Sequence, residues 1–156
     1  RETLWLGNLE ARRDWGHAKD YVEGMWRIVQ ADTPDDYVLA TGQCWSVRQF
    51  VEMAFAEVNI SISWSGSGID EVGRDSQTGK VLVRIDPRHF RPADIKVLQG
   101  DASKAREQLG WSATTSIEEL VREMVQADLI VLDAEYRRAG RVPEEASRIL
   151  LARPAK

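Results

Sequence analysis

Two short basic segments carry the side chains best suited to hold an anion. The first is Arg12-Arg13-Asp14-Trp15-Gly16-His17, which leads into a helical pattern. Adjacent arginines at a turn present planar donor forks, and such a fork holds a phosphate through two parallel bonds. The second is Arg88-His89-Phe90-Arg91-Pro92-Ala93-Asp94. Arg91 stands against a rigid proline with a carboxylate three residues on. That pair suits a phosphate on the arginine and a ribose diol on the acid. By residue type alone, both segments are equally those of ordinary charged surface: a solvated turn in the first, a salt-bridged loop in the second.

Other candidates are weaker. Gly66, Gly68 and Gly73 lack the spacing of a phosphate-binding G-x-G-x-x-G, and no capped amphipathic helix follows them. They predict a plain loop over Ser65–Gly79. His17 and His89 are far apart in the chain, with no H-E-x-x-H pattern near either, so no metal site is predicted. His17 suits a helix start and His89 a loop. Cys44 is the only cysteine, which excludes an internal disulfide and a cysteine-cluster metal site. The six tryptophans read mostly as core, with Trp111 an anchor after the Leu109-Gly110 stop.

The elements that must position these residues follow from the apolar periodicity. Thr3–Leu6 reads as a short strand and Gly7-Asn8 as a turn. Tyr21, Val22, Met25, Trp26 and Val29 recur at helical spacing. Tyr37–Ala40 is a continuous apolar run, which predicts a strand buried on both faces. Ser46 with Gln49, and Ser116 with Glu119, are capping boxes that open helices. The first buries Val47, Phe50, Val51, Ala54, Phe55 and Val58. The second turns Ile117, Leu120, Val121, Met124 and Val125 inward and runs to about Arg138. Ile60, Ile62 and Trp64 alternate with serines as a strand, and Lys80–Asp86 is another. Asp101 caps a short helix, Ala102 to Leu109, that stops at Gly110. This order of elements predicts an α/β fold. The organisation expected is a working portion over 1–132 and a helical tail over 133–156.

Bulk properties narrow the function further. A chain of 156 residues with 43% hydrophobic and 29% charged residues can build one ordinary core. A net charge of −4 argues against a nucleic-acid backbone as partner. No apolar run approaches the ~18 residues of a membrane span. With no leader pattern visible, a cytoplasmic protein is expected.

Taken together, the segments resemble one enzyme family. Leu6-Gly7-Asn8-Leu9-Glu10-Ala11-Arg12-Arg13-Asp14-Trp15-Gly16-His17-Ala18-Lys19-Asp20-Tyr21-Val22-Glu23 is similar to the stretch that marks GDP-mannose 4,6-dehydratases. Ala40-Thr41-Gly42 with Ser46–Glu52, Phe90–Asp94, Gly100–Ala105 with Leu109-Gly110-Trp111, and Glu119–Val125 are similar in the same order. The likeness runs over about residues 3 to 130. It implies the carboxyl-terminal, substrate-binding portion of an extended short-chain dehydrogenase, with Tyr37–Thr41 a strand of the Rossmann sheet. It implies conversion of GDP-mannose to GDP-4-keto-6-deoxy-mannose, with NADP held by an amino-terminal domain.

Carried over by position, Arg13 and Arg91 contact the diphosphate, Asp94 the ribose, and Asn8 lies near the pocket wall. The sequence also departs from the family pattern. Asp94 stands where Glu is usual, a methylene shorter. Arg12 replaces a common Lys, and Gln43-Cys44-Trp45 replaces an acid-plus-small stretch. No Tyr-x-x-x-Lys pair and no Gly-rich dinucleotide turn occurs, so no catalytic or cofactor-binding residue is expected in these residues. Two further functions fit the same residues: a non-catalytic GDP-sugar-binding module, and a sibling GDP-sugar epimerase or reductase. Alone, the Tyr37–Thr41 strand would expose unpaired backbone. It is therefore expected to pair with another copy, as a homo-oligomer, or with the amino-terminal domain.

Overall fold

The computed structural model describes residues 3–91 and 95–140. Its elements, in chain order, are β1 (Leu4–Leu6), β2 (Arg12–Arg13), α1 (Ala18–Val29), β3 (Trp45–Ser46), α2 (Val47–Ala56), β4 (Ile62–Ser65), β5 (Val72–Asp75), β6 (Val81–Ile85), β7 (Val97–Leu98), α3 (Ser103–Leu109) and α4 (Ile117–Arg138). A four-stranded sheet has the order β1-β6-β5-β4. In it β1 runs parallel to β6, and the other pairs are antiparallel. A three-stranded sheet has the order β3-β2-β7, with β2 antiparallel to β3 and parallel to β7. Helix α2 packs on α4, and α1 packs on α3.

Local chemistry sets the helix boundaries. At both capping boxes the serine hydroxyl accepts the N3 amide and the N3 side chain accepts the serine amide, so α2 and α4 start where the sequence places them. Gly110 ends α3 in the left-handed region, with φ 62°. Helix α3 starts at Ser103, one residue later than expected, with Ala102 and not Asp101 at its N-cap; the Asp101 carboxylate accepts the Ser103 amide at 2.9 Å from just before it. The buried core comprises Leu9, Ala11, Ala40, Val51, Val83, Ile85, Ala105, Trp111, Ile117 and Val121. No helix among the described residues is long and apolar enough to cross a membrane.

Several expectations are corrected. Ser65–Gly79 is not a plain loop: it holds a 3-10 turn at Gly68–Asp70 and the whole of β5. Val72-Gly73-Arg74-Asp75 lacks the apolar alternation that reveals a strand, and cross-strand pairing supplies what periodicity does not. Gly73 is buried because the Trp64 ring lies over it, and a Cβ there would sit 2.7 Å from that ring.

Tyr37–Ala40 forms no strand. A strand exists through its ladder, and no described strand lies beside this segment. Side chains hold the region instead: Lys104 bonds the Asp36 carbonyl at 3.0 Å, and Tyr37 donates to Gln108 at 3.0 Å. Val38 remains exposed.

The periodic stripe of α1 is real, but Val22, Met25, Trp26 and Val29 all face outward, as does Met124 on α4. The tryptophans divide likewise: Trp111 is buried, Trp15, Trp45 and Trp64 are half-buried, and Trp5 and Trp26 are exposed. Helix α4 passes through residue 132 without a break. The expected tail helix falls mostly outside the described residues.

Candidate functional site

The three-stranded sheet pairs the first basic segment with the stretch that follows the second. Arg13 on β2 stands opposite Trp45 of β3 and Leu98 of β7. The Arg12 amide donates to the Lys96 carbonyl at 2.8 Å, and the Asp14 amide to the Leu98 carbonyl at 3.1 Å. The two guanidinium groups then go to different neighbours. Arg12 Nη2 donates to the Cys44 carbonyl at 2.8 Å. Arg13 Nη1 donates to the Ile95 carbonyl at 2.9 Å and to the Arg12 carbonyl at 2.8 Å. Arg13 is thus tied to the segment that leaves Arg91, while Arg91 itself is exposed. Asp94 lies outside the described residues. Asn8 is half-buried, and its side-chain oxygen accepts the Glu10 amide at 2.9 Å, which shapes the turn before β2.

Asp14 is the residue that sequence reasoning passed over. Its carboxylate accepts the Thr41 amide at 2.9 Å, the Thr41 hydroxyl at 2.5 Å, the Gly42 amide at 2.9 Å and the Gly100 amide at 3.4 Å. These bonds join β2 to the walls of a cleft of about 580 Å³, lined by Thr41, Gly42, Gln99, Gly100 and Trp111 among others. Two glycines allow the approach. A Cβ at Gly100 would run into the Ala40 methyl, and one at Gly16 would run into the Tyr21 hydroxyl. An acid paired with a distant Thr-Gly is chemically sensible, but only the topology shows that the two meet.

His17 takes the orienting role expected of it. Its Nδ1 accepts the Lys19 amide at 3.0 Å as the cap of α1. The proton therefore belongs on Nε2, which faces Glu123 at 3.3 Å. One turn later, Asp20 is buried. It accepts the Thr114 amide at 3.1 Å, the Thr114 hydroxyl at 3.0 Å and the Thr115 amide at 2.9 Å. Arg48 sits between Glu71 and Glu10 and stacks on Trp64, 4.8 Å from the ring centroid. The carboxylates of Glu71, then Glu10, hold its proton more tightly than usual.

Asp86 ends β6 and is buried. Its carboxylate accepts the Arg88 amide at 2.9 Å and is clasped by Arg88 Nε and Nη2 at 3.0 and 2.7 Å. Bonding to the Arg88 side chain, then to its amide, holds the Asp86 pKa down at about 2. For Asp20, burial pushes the pKa up, but the bonds from Thr115 and Thr114 together outweigh it and the net shift is downward. The sign of the pH effect follows. Below the ordinary carboxylate pKa of about 3.9, the unfolded chain takes up protons that the folded chain resists, so stability falls with pH. Asp20→Asn and Asp86→Asn should therefore lower stability at pH 7. Their gap from the parent should narrow from about pH 4 towards pH 2. Urea titrations across that range measure it, and a gap that widens on acidification would contradict the assignment.

Comparisons with known proteins show the family. The family pattern described as GDP-mannose 4,6 dehydratase matches residues 1–124. GDP-mannose 4,6-dehydratase of Sinorhizobium fredii is 56% identical over 132 residues, covering 85% of this chain and 38% of that protein. The human GDP-mannose 4,6 dehydratase is 52% identical over 128 residues, covering 82% and 34%. Among solved structures, RMD from Pseudomonas aeruginosa complexed with NADPH superposes with a TM-score of 0.61 at 15% identity, over 80% of this chain and 35% of that one. dTDP-glucose 4,6-dehydratase from Bacillus anthracis in complex with NAD gives 0.60 at 15% identity, over 80% and 34%. At such identities the structures speak for the fold alone, and that fold is the α/β one expected. The chain spans little more than a third of the curated relatives it matches. Within that span the Arg-Asp-Trp turn, both capping boxes and the Trp111 anchor are folded as one unit, and the chain belongs to the GDP-mannose 4,6-dehydratase family.

Proposed function

We propose that this chain is the sugar-nucleotide-gripping portion of a GDP-mannose 4,6-dehydratase, an NADP-dependent lyase that forms GDP-4-keto-6-deoxy-mannose. The observation that carries this reading is the tie between Arg13 and the segment leaving Arg91. Nη1 of Arg13 reaches the Ile95 carbonyl, four residues after Arg91, and β2 pairs with β7 just beyond it. In this reading Arg13 and Arg91 hold the diphosphate, Asp94 reaches the ribose, and Asn8 shapes the wall beside them. Arginine suits this task because its fork stays charged and binds in two places at once.

NADP belongs to the reading for the protein as a whole, but these residues do not fit it. Gly66 precedes and Gly68 opens a single 3-10 turn, and Gly73 lies under Trp64. Among the described residues no glycine-rich turn opens onto a helix, and in this reading the cofactor and the acid and base groups belong to an amino-terminal domain, while these residues bind and orient. The outward apolar stripe of α1 and the unladdered Tyr37–Ala40 segment support an assembly in which that domain, or another copy, covers them, and the reading places the enzyme in the cytoplasm.

Arg13→Ala and Arg91→Ala in the full-length protein test the grip. Each should raise KM for GDP-mannose about 10- to 100-fold, the range expected for a lost charge-assisted bond. Unchanged KM in both would sink the diphosphate assignment. Failure of the parent to form the 4-keto-6-deoxy product would sink the activity.

A further inference from the structure

We propose that Asp86 is a positioning residue for Arg91: it builds the rigid turn that aims the arginine at the diphosphate. This rests on the reading of Arg91 just given and adds a residue that the reading leaves unassigned. The Asp86 amide donates to the Leu6 carbonyl at 2.7 Å, which extends the β1–β6 ladder by one bond. The turn is therefore anchored to the best-buried strand of the larger sheet, where Val83 and Ile85 are 0% and 4% exposed.

From that anchor three amides fold back on one residue. Those of His89 and Phe90 donate to the Asp86 carbonyl at 3.0 and 3.1 Å, and that of Arg88 to its carboxylate at 2.9 Å. Arg91 follows immediately. Asp86 is buried although it carries a charge, and its Arg88 partner reaches in from solvent, with a side chain 85% exposed. A buried carboxylate that accepts a backbone amide and both prongs of a guanidinium fixes a local geometry. Gly7 closes the turn from the other side: a Cβ there would sit 2.6 Å from the His89 carbonyl oxygen.

The electrostatic alternative predicts the opposite sign, which makes the inference testable. Asp86→Asn removes a negative charge beside an anion-binding arginine. If charge alone mattered, the sugar nucleotide would bind more tightly. Positioning predicts weaker binding, because asparagine keeps one acceptor oxygen: with it under the Arg88 amide and Nε, its NH2 group faces Arg88 Nη2 and that prong of the clasp is lost. In the full-length protein, Asp86→Asn should raise KM for GDP-mannose on the order of tenfold and change kcat by less than about threefold. Gly7→Ala, which changes no charge and presses on the same turn, should move KM in the same direction. It also serves if Asp86→Asn does not fold. Arg91→Ala is the reference. If it raises KM while Asp86→Asn and Gly7→Ala leave KM unchanged or lower it, the positioning role is overturned and the grip survives. If Arg91→Ala itself has no effect, the grip fails and the positioning role with it.

Discussion

Trp111→Ala is expected to cost about 3–5 kcal/mol of folding free energy, the range for removing a large aromatic from a packed core. Trp111 is 1% exposed. Its ring and the Leu39 side chain share the space that Gly24 leaves on α1, where a Cβ would sit 2.7 Å from Leu39 and 3.0 Å from the indole. The Tyr21 ring lies beside it, 6.2 Å between centroids. Its Nε1 donates to the Asp20 carbonyl at 2.8 Å, and its own amide donates to the Ala105 carbonyl at 3.3 Å. One side chain therefore joins the end of α3 to the start of α1, beside the loop whose amides hold Asp20. Trp111→Phe separates the contributions. It keeps most of the packing and loses the donated bond, so about 1–3 kcal/mol is expected. Urea unfolding of parent and variants measures both. A Trp111→Ala loss below about 1 kcal/mol would show that the α1–α3 contact is not held by this ring.

The sequence revealed elements that carry their own local signal and missed those that depend on a distant partner. Ser46 with Gln49 and Ser116 with Glu119 are self-contained devices, so the starts of α2 and α4 could be read to the residue. The left-handed stop at Gly110 is local in the same sense. Strand β5 was hidden because Gly73 is small for the sake of Trp64, on the neighbouring strand. Tyr37–Ala40 has the composition of a strand, but strand formation needs a partner backbone, and the described residues pair none with it. The apolar stripe of α1 misled in a related way. Periodicity reports that a face is apolar, not that this chain covers it. Of the candidate site residues, Arg13 and Arg91 stand out in the sequence because an arginine fork suits an anion. Asp14 and Asp86 do not, because an aspartate beside an arginine resembles any surface pair until its acceptors are counted in three dimensions.

Asp14→Asn is the second large effect expected, and the isosteric change should be nearly as costly as Asp14→Ala. The carboxylate takes four donors from two segments: the Thr41 amide and hydroxyl on one oxygen, the Gly42 and Gly100 amides on the other. An asparagine offers only one acceptor oxygen. Whichever way its amide is turned, an NH2 group faces backbone N–H groups or the Thr41 hydroxyl and leaves donors unsatisfied. Bonds to a charged acceptor are worth about 1.5–3 kcal/mol each, and losing several that share a partner is not additive. A loss of about 3 kcal/mol is therefore expected for either variant. Thr41→Val, which removes only the hydroxyl, should cost about 1 kcal/mol. It should cost less still in the Asp14→Asn background, because its partner is already gone. Hydrogen exchange gives a local reading. The Gly42 and Gly100 amides should lose protection in Asp14→Asn, while Val83 in the larger sheet keeps its protection until global unfolding. Unchanged exchange at Gly42 and Gly100 would mean that the cleft is held by something other than Asp14. If both amides open, β2 loses its tie to the Thr41-Gly42 wall, and Arg13, the next residue along the strand, loses the frame that sets it beside the segment leaving Arg91.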